Sequence, residues 1–180
     1  MDHSEIEIHG VKAIDFAQHK DSRGIFIEVY RNEWIDETQP IQWNVVHSEA
    51  NTLRGVHVHI DHHDYLTVLS GAMLLGLHDI RPESPTFGRS GTIELSTEPS
   101  RAILIPPGVC HGFYYLQPSI HLYAVSHYFN PADELGCRFD SPELNLDWPA
   151  TSPLLSQRDQ TADTYPAMCE KYLSGRKNIG

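Results

Sequence analysis

Basic residues are scarce in this chain of 180 residues: 13 Lys and Arg stand against 24 Asp and Glu, a formal net charge of −11 with histidine neutral. Non-specific nucleic-acid binding runs on clustered Lys and Arg, so a nucleic-acid partner is not expected. A small anionic ligand is not excluded, because a few arginines in one cleft set a local potential opposite to the global one. Arg23, Arg54, Arg81 and Arg158 are the candidates for that task. Cysteine is scarce too. Cys110, Cys137 and Cys169 are widely spaced and form no CxxC, which argues against a disulfide framework and fits a reducing compartment. Long apolar runs are missing, so no membrane span is expected. The opening stretch "MDHSEIEIHG" is polar and charged, unlike a signal peptide, and a cytoplasmic protein is the expectation. No repeat, linker or second domain is evident, and the length suits one domain over residues 1–180.

What is present is mostly β pattern. "EIEIHGVKAI", "GIFIEVY", "IQWNVVHS", "LTVLSGAMLLGLHDI", "GTIELS", "AILIPPG", "GFYYL" and "IHLYAVSHYF" are short and rich in Ile, Val, Leu, Tyr or Phe. Gly, Pro, Ser, Asn or Asp mostly separate them. Many short strands with turn signals predict an all-β sandwich or barrel rather than βαβ units. "YLTVLSGAMLLGLHDI" reads as two strands turning at Ser70-Gly71, and "RPESPTFG" as a Pro-punctuated loop. After residue 140 the pattern loses its period. "SPEL" suits a helical turn with Ser141 as cap and Pro142 in its first turn, and "PAMCEKYLSGRKNIG" suits a short helix ending near Gly175.

Histidine is plentiful, with 12 in the chain, and four of them fall within "RGVHVHIDHHDYLTVLSG". Side chains alternate along a strand, so His57 and His59 share one face and Val56 and Val58 the other. His62 and His63 lie in "HIDHHD", which reads as a solvated turn with no chemical role. The spacing of Gly55, His57, His59, Asp64 and Gly71, followed by Pro106, Gly108 and His111 in "PPGVCH", resembles the two motifs of the cupin barrel. Three imidazoles and a carboxylate, His57, His59, Asp64 and His111, suit a divalent transition metal such as Fe, Mn, Ni, Zn or Cu.

A longer series of motifs points further. "DSRGIFIEVY", "QWNVV", "LRGVH", "VLSG", "DIRPESPTFG", "IPPGVCHGF", "LYAVSHYFNPADELGCRFDSPELNLDWP" and "LLSQRD" follow one another in that order. The series resembles the dTDP-4-dehydrorhamnose 3,5-epimerase family and the related deoxysugar 3-epimerases, over about residues 10–160. The resemblance implies a cupin-type double-stranded β-helix, or jelly roll, with short helical segments near the C-terminus. It implies a homodimer exchanging an N-terminal strand, for which "EIEIHGVKAI" is the candidate. It also implies a dTDP-linked 4-keto-6-deoxyhexose as substrate, inverted at C3, C5 or both through an enolate, without a cofactor. Such chemistry needs a base, an acid on the opposite face and a group that stabilises the oxyanion.

By the same resemblance His57 is the base, Asp159 in "SQRD" the carboxylate that orients it, and Tyr123 in "HLYAV" the acid. Arg54 would fork onto a phosphate. Arg23, Glu28, Gln42, Asn44, His111 and Glu134 match positions that hold the nucleotide or the sugar, and Arg158 retains the charge of a family lysine. On residue type alone, Tyr123 can equally be core and Asp159 a turn cap. The chain also departs from the family. Asp64 stands where a lysine is thought to stabilise the enolate, and His59 stands where a glutamine is usual. Both changes restore the cupin metal set, so an alternative is a metal-dependent cupin acting on a ketosugar, with one divalent transition metal as Lewis acid. In that alternative His57 is a ligand and cannot be the free base. A further alternative is an inactive sugar-nucleotide binding module.

Overall fold

The computed structural model describes residues 7–36 and 38–177. Twelve strands run through them: β1 (Lys12–Asp15), β2 (Gln18–Asp21), β3 (Gly24–Ile27), β4 (Gln42–Ser48), β5 (Leu53–Val58), β6 (Asp64–Ser70), β7 (Ala72–Asp79), β8 (Ser90–Ser96), β9 (Arg101–Ile105), β10 (Val109–Tyr115), β11 (Ser119–Val125) and β12 (Leu135–Gly136). Two helices follow, α1 (Gln157–Gln160) and α2 (Tyr165–Arg176). The strands form two five-stranded antiparallel sheets, in the orders β1-β9-β6-β11-β4 and β12-β5-β10-β7-β8, with β2 and β3 as a separate hairpin. This is the all-β jelly roll expected from the sequence.

Apolar alternation puts the core between the sheets. Leu66, Val68, Ile103 and Ile105 of the first sheet meet Leu75, Leu77 and Tyr115 of the second, all nearly inaccessible. Each such side chain contributes roughly 1.5–3 kcal/mol. The second sheet is buried on its outer face as well. There Val56, Val58 and Cys110 pack against Leu144, Met168 and Tyr172 of the C-terminal segment and α2. That double cover explains why "AMLLGL" reads as a continuous apolar run rather than an alternating one.

The turn at Ser70-Gly71 is present, but β6 and β7 belong to different sheets and do not pair, so the chain crosses the sandwich there. Gly71 has φ +86°, and a Cβ on it would collide with Ser119 Oγ and the Pro118 carbonyl oxygen. The "SPEL" turn forms as a short 3-10 segment, Pro142–Leu144, without a side-chain cap from Ser141. α2 is capped by Thr164, whose hydroxyl accepts from the Ala167 N–H. Of the segment read as an exchanged strand, Lys12–Ile14 belongs to β1 and pairs with β9 of the same chain. Glu5 and Ile6 lie outside the described residues.

Candidate active site

The open end of the sandwich holds a cavity of about 280 Å³ between the two sheets. Strand alternation supplies most of its wall. β4 offers Gln42, Asn44 and Val46; β11 offers His121, Tyr123 and Val125; β10 offers His111 and Phe113. β5 breaks the rule, because Arg54 and His57 are three apart and both line the cavity. Its register against β10 explains this: His111 faces His57 and Phe113 faces Arg54, so β5 carries one extra residue between them. The irregularity sits at Gly55, where φ is +117° and a Cβ would meet Gly112 Cα and His111 O, each at 2.9 Å. A glycine is required there, and the "RGVH" spacing follows from it.

His57 Nε2 lies 2.8 Å from Asp159 Oδ1. A carboxylate only accepts, so the pair fixes the imidazole proton on Nε2 and leaves the lone pair on Nδ1. Asp159 is itself held in place: Oδ2 accepts from Ser156 Oγ at 2.8 Å, and its backbone N–H donates back to that oxygen at 3.1 Å. Burial works to raise the Asp159 carboxyl. The His57 bond and charge, the Ser156 hydroxyl and the Gly55 N–H outweigh it and keep the group below the ordinary carboxylate range. Tyr123 faces the cavity from the other sheet. Burial, with Asp64 and Glu134 nearby, pushes its phenol above the usual value, so it enters any reaction protonated. A proton acceptor and a proton donor thus stand on opposite walls.

The polar rim is built from the other expected residues. Arg54 Nε donates to Ser48 Oγ at 3.0 Å. Arg158 donates to Glu134 Oε2 at 3.3 Å. Gln42 donates to Asn44 Oδ1 at 3.1 Å, and the buried Asn44 Nδ2 has no partner. His111, Glu134 and Arg158 also line the cavity. Two expectations fall outside it in this chain. Arg23 is exposed at the β2–β3 turn and pairs with Asp21, and Glu28 pairs with Arg31. Arg81 is likewise elsewhere, clamped on Asp79.

Of the cupin-type metal set, His59 and His111 face Asp64 at 3.4 and 3.7 Å, and His57 stands apart from them. His57 Nε2 is turned to Asp159. Among the described residues, those whose donor atoms all lie within 4.8 Å of one another are His59, His62 and Asp64. His62, expected to be solvated, is instead 5% exposed. Its Nδ1 donates to Asp133 Oδ2 at 2.6 Å, and that carboxylate also accepts from the Ile60 and Asp61 N–H groups. The loop between β5 and β6 turns His62 inward, and loop residues have no period from which this can be read. Asp133, in the short Pro131–Asp133 turn, had no sequence signal. Burial pushes the Asp64 carboxyl up to about 7. Burial also pulls the His111 imidazole down to about 3, and that of His121 to about 4.

The family model described as dTDP-4-dehydrorhamnose 3,5-epimerase matches residues 5–166. A dTDP-4-dehydrorhamnose 3-epimerase of Streptomyces niveus is 35% identical, covering 86% of this chain and 79% of its own. A dTDP-4-dehydrorhamnose 3,5-epimerase of Mycobacterium tuberculosis is 33% identical, with 89% and 86% covered. Among solved structures, a dTDP-6-deoxy-D-glucose-3,5-epimerase of Legionella pneumophila in complex with dTDP-4-keto-L-rhamnose superposes with a TM-score of 0.81. It shares 30% identity and covers 88% of this chain and 89% of its own. By sequence and by fold, the chain belongs to the dTDP-4-dehydrorhamnose 3,5-epimerase family.

Proposed function

We propose that this protein is an epimerase of a dTDP-linked 4-keto-6-deoxyhexose, acting in deoxysugar biosynthesis. His57 Nδ1 takes the proton from a carbon beside the ketone, and the electron pair moves into an enolate. The Tyr123 phenol delivers a proton to the opposite face of that carbon. The imidazolium then loses its proton to solvent and the phenolate regains one. Asp159 keeps the imidazole in the productive tautomer and offsets its charge while it is protonated. Arg54 is assigned to the diphosphate, and the unpartnered Asn44 amide to an acceptor on the ligand. The observation that carries this reading is the His57–Asp159 pair, with its lone pair left free, on the wall facing Tyr123. An inactive binding module would have no use for that arrangement.

The proposal includes a homodimer with an exchanged N-terminal strand. Arg23 and Glu28 stand away from this chain's own cavity. The β4 edge also leaves Trp43 and Val45 41% and 56% exposed. Light scattering on the eluting protein is expected to give twice the chain mass. The compartment proposed is the cytoplasm; no helix among the described residues is long and apolar enough to cross a membrane.

Heavy water tests the chemistry. Incubation with dTDP-4-keto-6-deoxyglucose is expected to place deuterium at C3, at C5 or at both, and the labelled positions read out which centres invert. His57→Ala is expected to slow exchange by at least ~10²–10⁴-fold. Tyr123→Phe is expected to keep exchange while losing inversion, since the base can return its own proton to the same face. Absence of deuterium at both carbons with folded wild-type protein overturns the reading.

A further inference from the structure

Beside the His57–Asp159 pair lies a second group of imidazoles that the proposed reaction does not use. Asp64, the first residue of β6, is 5% exposed, and three histidine nitrogens face its Oδ2. His59 Nε2 is 3.4 Å away, His111 Nε2 3.7 Å and His62 Nε2 3.9 Å. The far side of each ring is occupied. His59 Nδ1 lies 3.3 Å from the Asp133 carbonyl, His62 Nδ1 2.6 Å from the Asp133 carboxylate, and His111 Nδ1 3.2 Å from the Val109 carbonyl. Each oxygen is an acceptor, so each ring carries a proton on Nδ1 and turns its Nε2 inward. Metal-ligating histidines show this arrangement: the outward N–H is bound to a carboxylate or carbonyl, and the other nitrogen is free for the ion.

His62 Nε2 is fully buried and has no hydrogen-bond partner. A cation lying between them would draw these buried nitrogens and the carboxylate together. The spacing suits one. Ligands at ~2.0–2.1 Å from a tetrahedral ion are about 3.3–3.4 Å apart, close to the observed His59–Asp64 distance. The other two approaches are a few tenths of an ångström longer.

We propose that His59, His62 and Asp64 form a binding site for one divalent transition-metal ion, with His111 as the next nearest donor. Two neutral imidazoles and a carboxylate select the zinc, iron, cobalt and nickel class over magnesium or calcium, which take oxygen. The set differs from the one suggested by motif spacing: His62 is included and His57 is left with Asp159. A metal here would therefore leave the base free. His59, His62 and Asp64 all line the cavity, so the ion's remaining coordination positions would open toward a ligand there. The site follows from the donors alone and does not depend on the epimerase reading.

The test is a cobalt(II) titration of chelator-treated full-length protein, followed by its visible ligand-field bands and by elemental analysis. One equivalent is expected, with tetrahedral-type absorption. His62→Gln and Asp64→Asn are expected to weaken binding by more than 100-fold. Asp133→Asn, which removes the carboxylate behind His62, is expected to weaken it by about 10–100-fold. His127→Gln, a half-exposed histidine on the cavity rim, is the control and leaves the affinity unchanged. If a variant does not fold, nitrogen NMR of the wild-type histidines under zinc(II) decides. Displacement of the Nε2 resonances of His59 and His62 supports the site. Absence of saturable binding, or binding that leaves those two resonances unmoved, overturns it, as does a folded His62→Gln protein that binds as tightly as wild type.

Discussion

Two buried aspartates flank the same loop-and-strand unit and have opposite surroundings. Asp64 opens β6, and Asp79 closes β7. Asp79 is wholly inaccessible but has five donors. Arg81 contributes Nε at 2.8 Å, Nη2 at 2.8 Å and its backbone N–H at 3.0 Å; Ser84 contributes its hydroxyl at 2.6 Å and Thr86 at 2.7 Å. Burial works to raise this carboxyl, and the donors overcome it and hold it down at about 2. Asp64 has the same chemistry and comparable burial, but the rings nearest it, His59, His111 and His62, stand 3.4, 3.7 and 3.9 Å away, and burial carries it up to about 7. Burial is thus shared between the two, and the supply of donors decides the charge. One aspartate completes its own network within the fold. The other is left to a partner from outside it, and it is the one that lies in the cavity.

The comparison fails if Asp79 can be removed cheaply. Asp79→Ala strands the Arg81 guanidinium, only 12% exposed, together with two hydroxyls. The expected cost is about 3–5 kcal/mol in a denaturant titration. A change below 1 kcal/mol would mean that the loop repacks without its anchor. The pH dependence is the next largest effect. The folded state depresses Asp79, so its contribution is fully present above the unfolded carboxyl value near 3.9 and is lost as pH falls through about 2. About 2 kcal/mol of stability is at stake between pH 5 and pH 2. Melting curves across that window should show a shallower decline for Asp79→Asn than for wild type.

The Asp79 network and the His62–Asp64 cluster also mark how far the sequence could be read. Most of the strands, the turn at Ser70-Gly71 and the short C-terminal helix follow from local patterns, since alternation and turn residues act over a few positions; β2, β12 and the crossing from one sheet to the other at Gly71 do not. His57 and His59 on one face follow from the same period, and Gln42, Asn44 and Tyr123 sit on wall positions of their own strands. Arg54 was legible only through the motif series, because the extra residue at Gly55 breaks the alternation that would have placed it. His62 was misread. It lies in a loop, and what turns it inward is Asp133, 71 residues away. Arg23 and Glu28 match the family motif but stand outside this cavity, paired with Asp21 and Arg31, since motif order does not fix where a hairpin lies in space. "DIRPESPTFG" was recognisable as a loop, but its role as a cage for a carboxylate depends on side-chain reach rather than on residue type.

The smallest effect is the sharpest test of the contrast. In chelator-treated protein, Asp64→Asn removes a carboxylate that the fold does not support and replaces it with a neutral group of the same shape. Removing an uncompensated buried charge is close to neutral or stabilising, whereas removing a compensated one is costly. The unfolding free energy of metal-free Asp64→Asn at neutral pH is therefore expected within about 1 kcal/mol of wild type, or above it. With saturating cobalt(II) the order should reverse, because only the wild type gains stability by mass action. A metal-free Asp64→Asn protein as damaged as Asp79→Ala would show that Asp64 has donors equivalent to those of Asp79, and the distinction between the two aspartates would be lost.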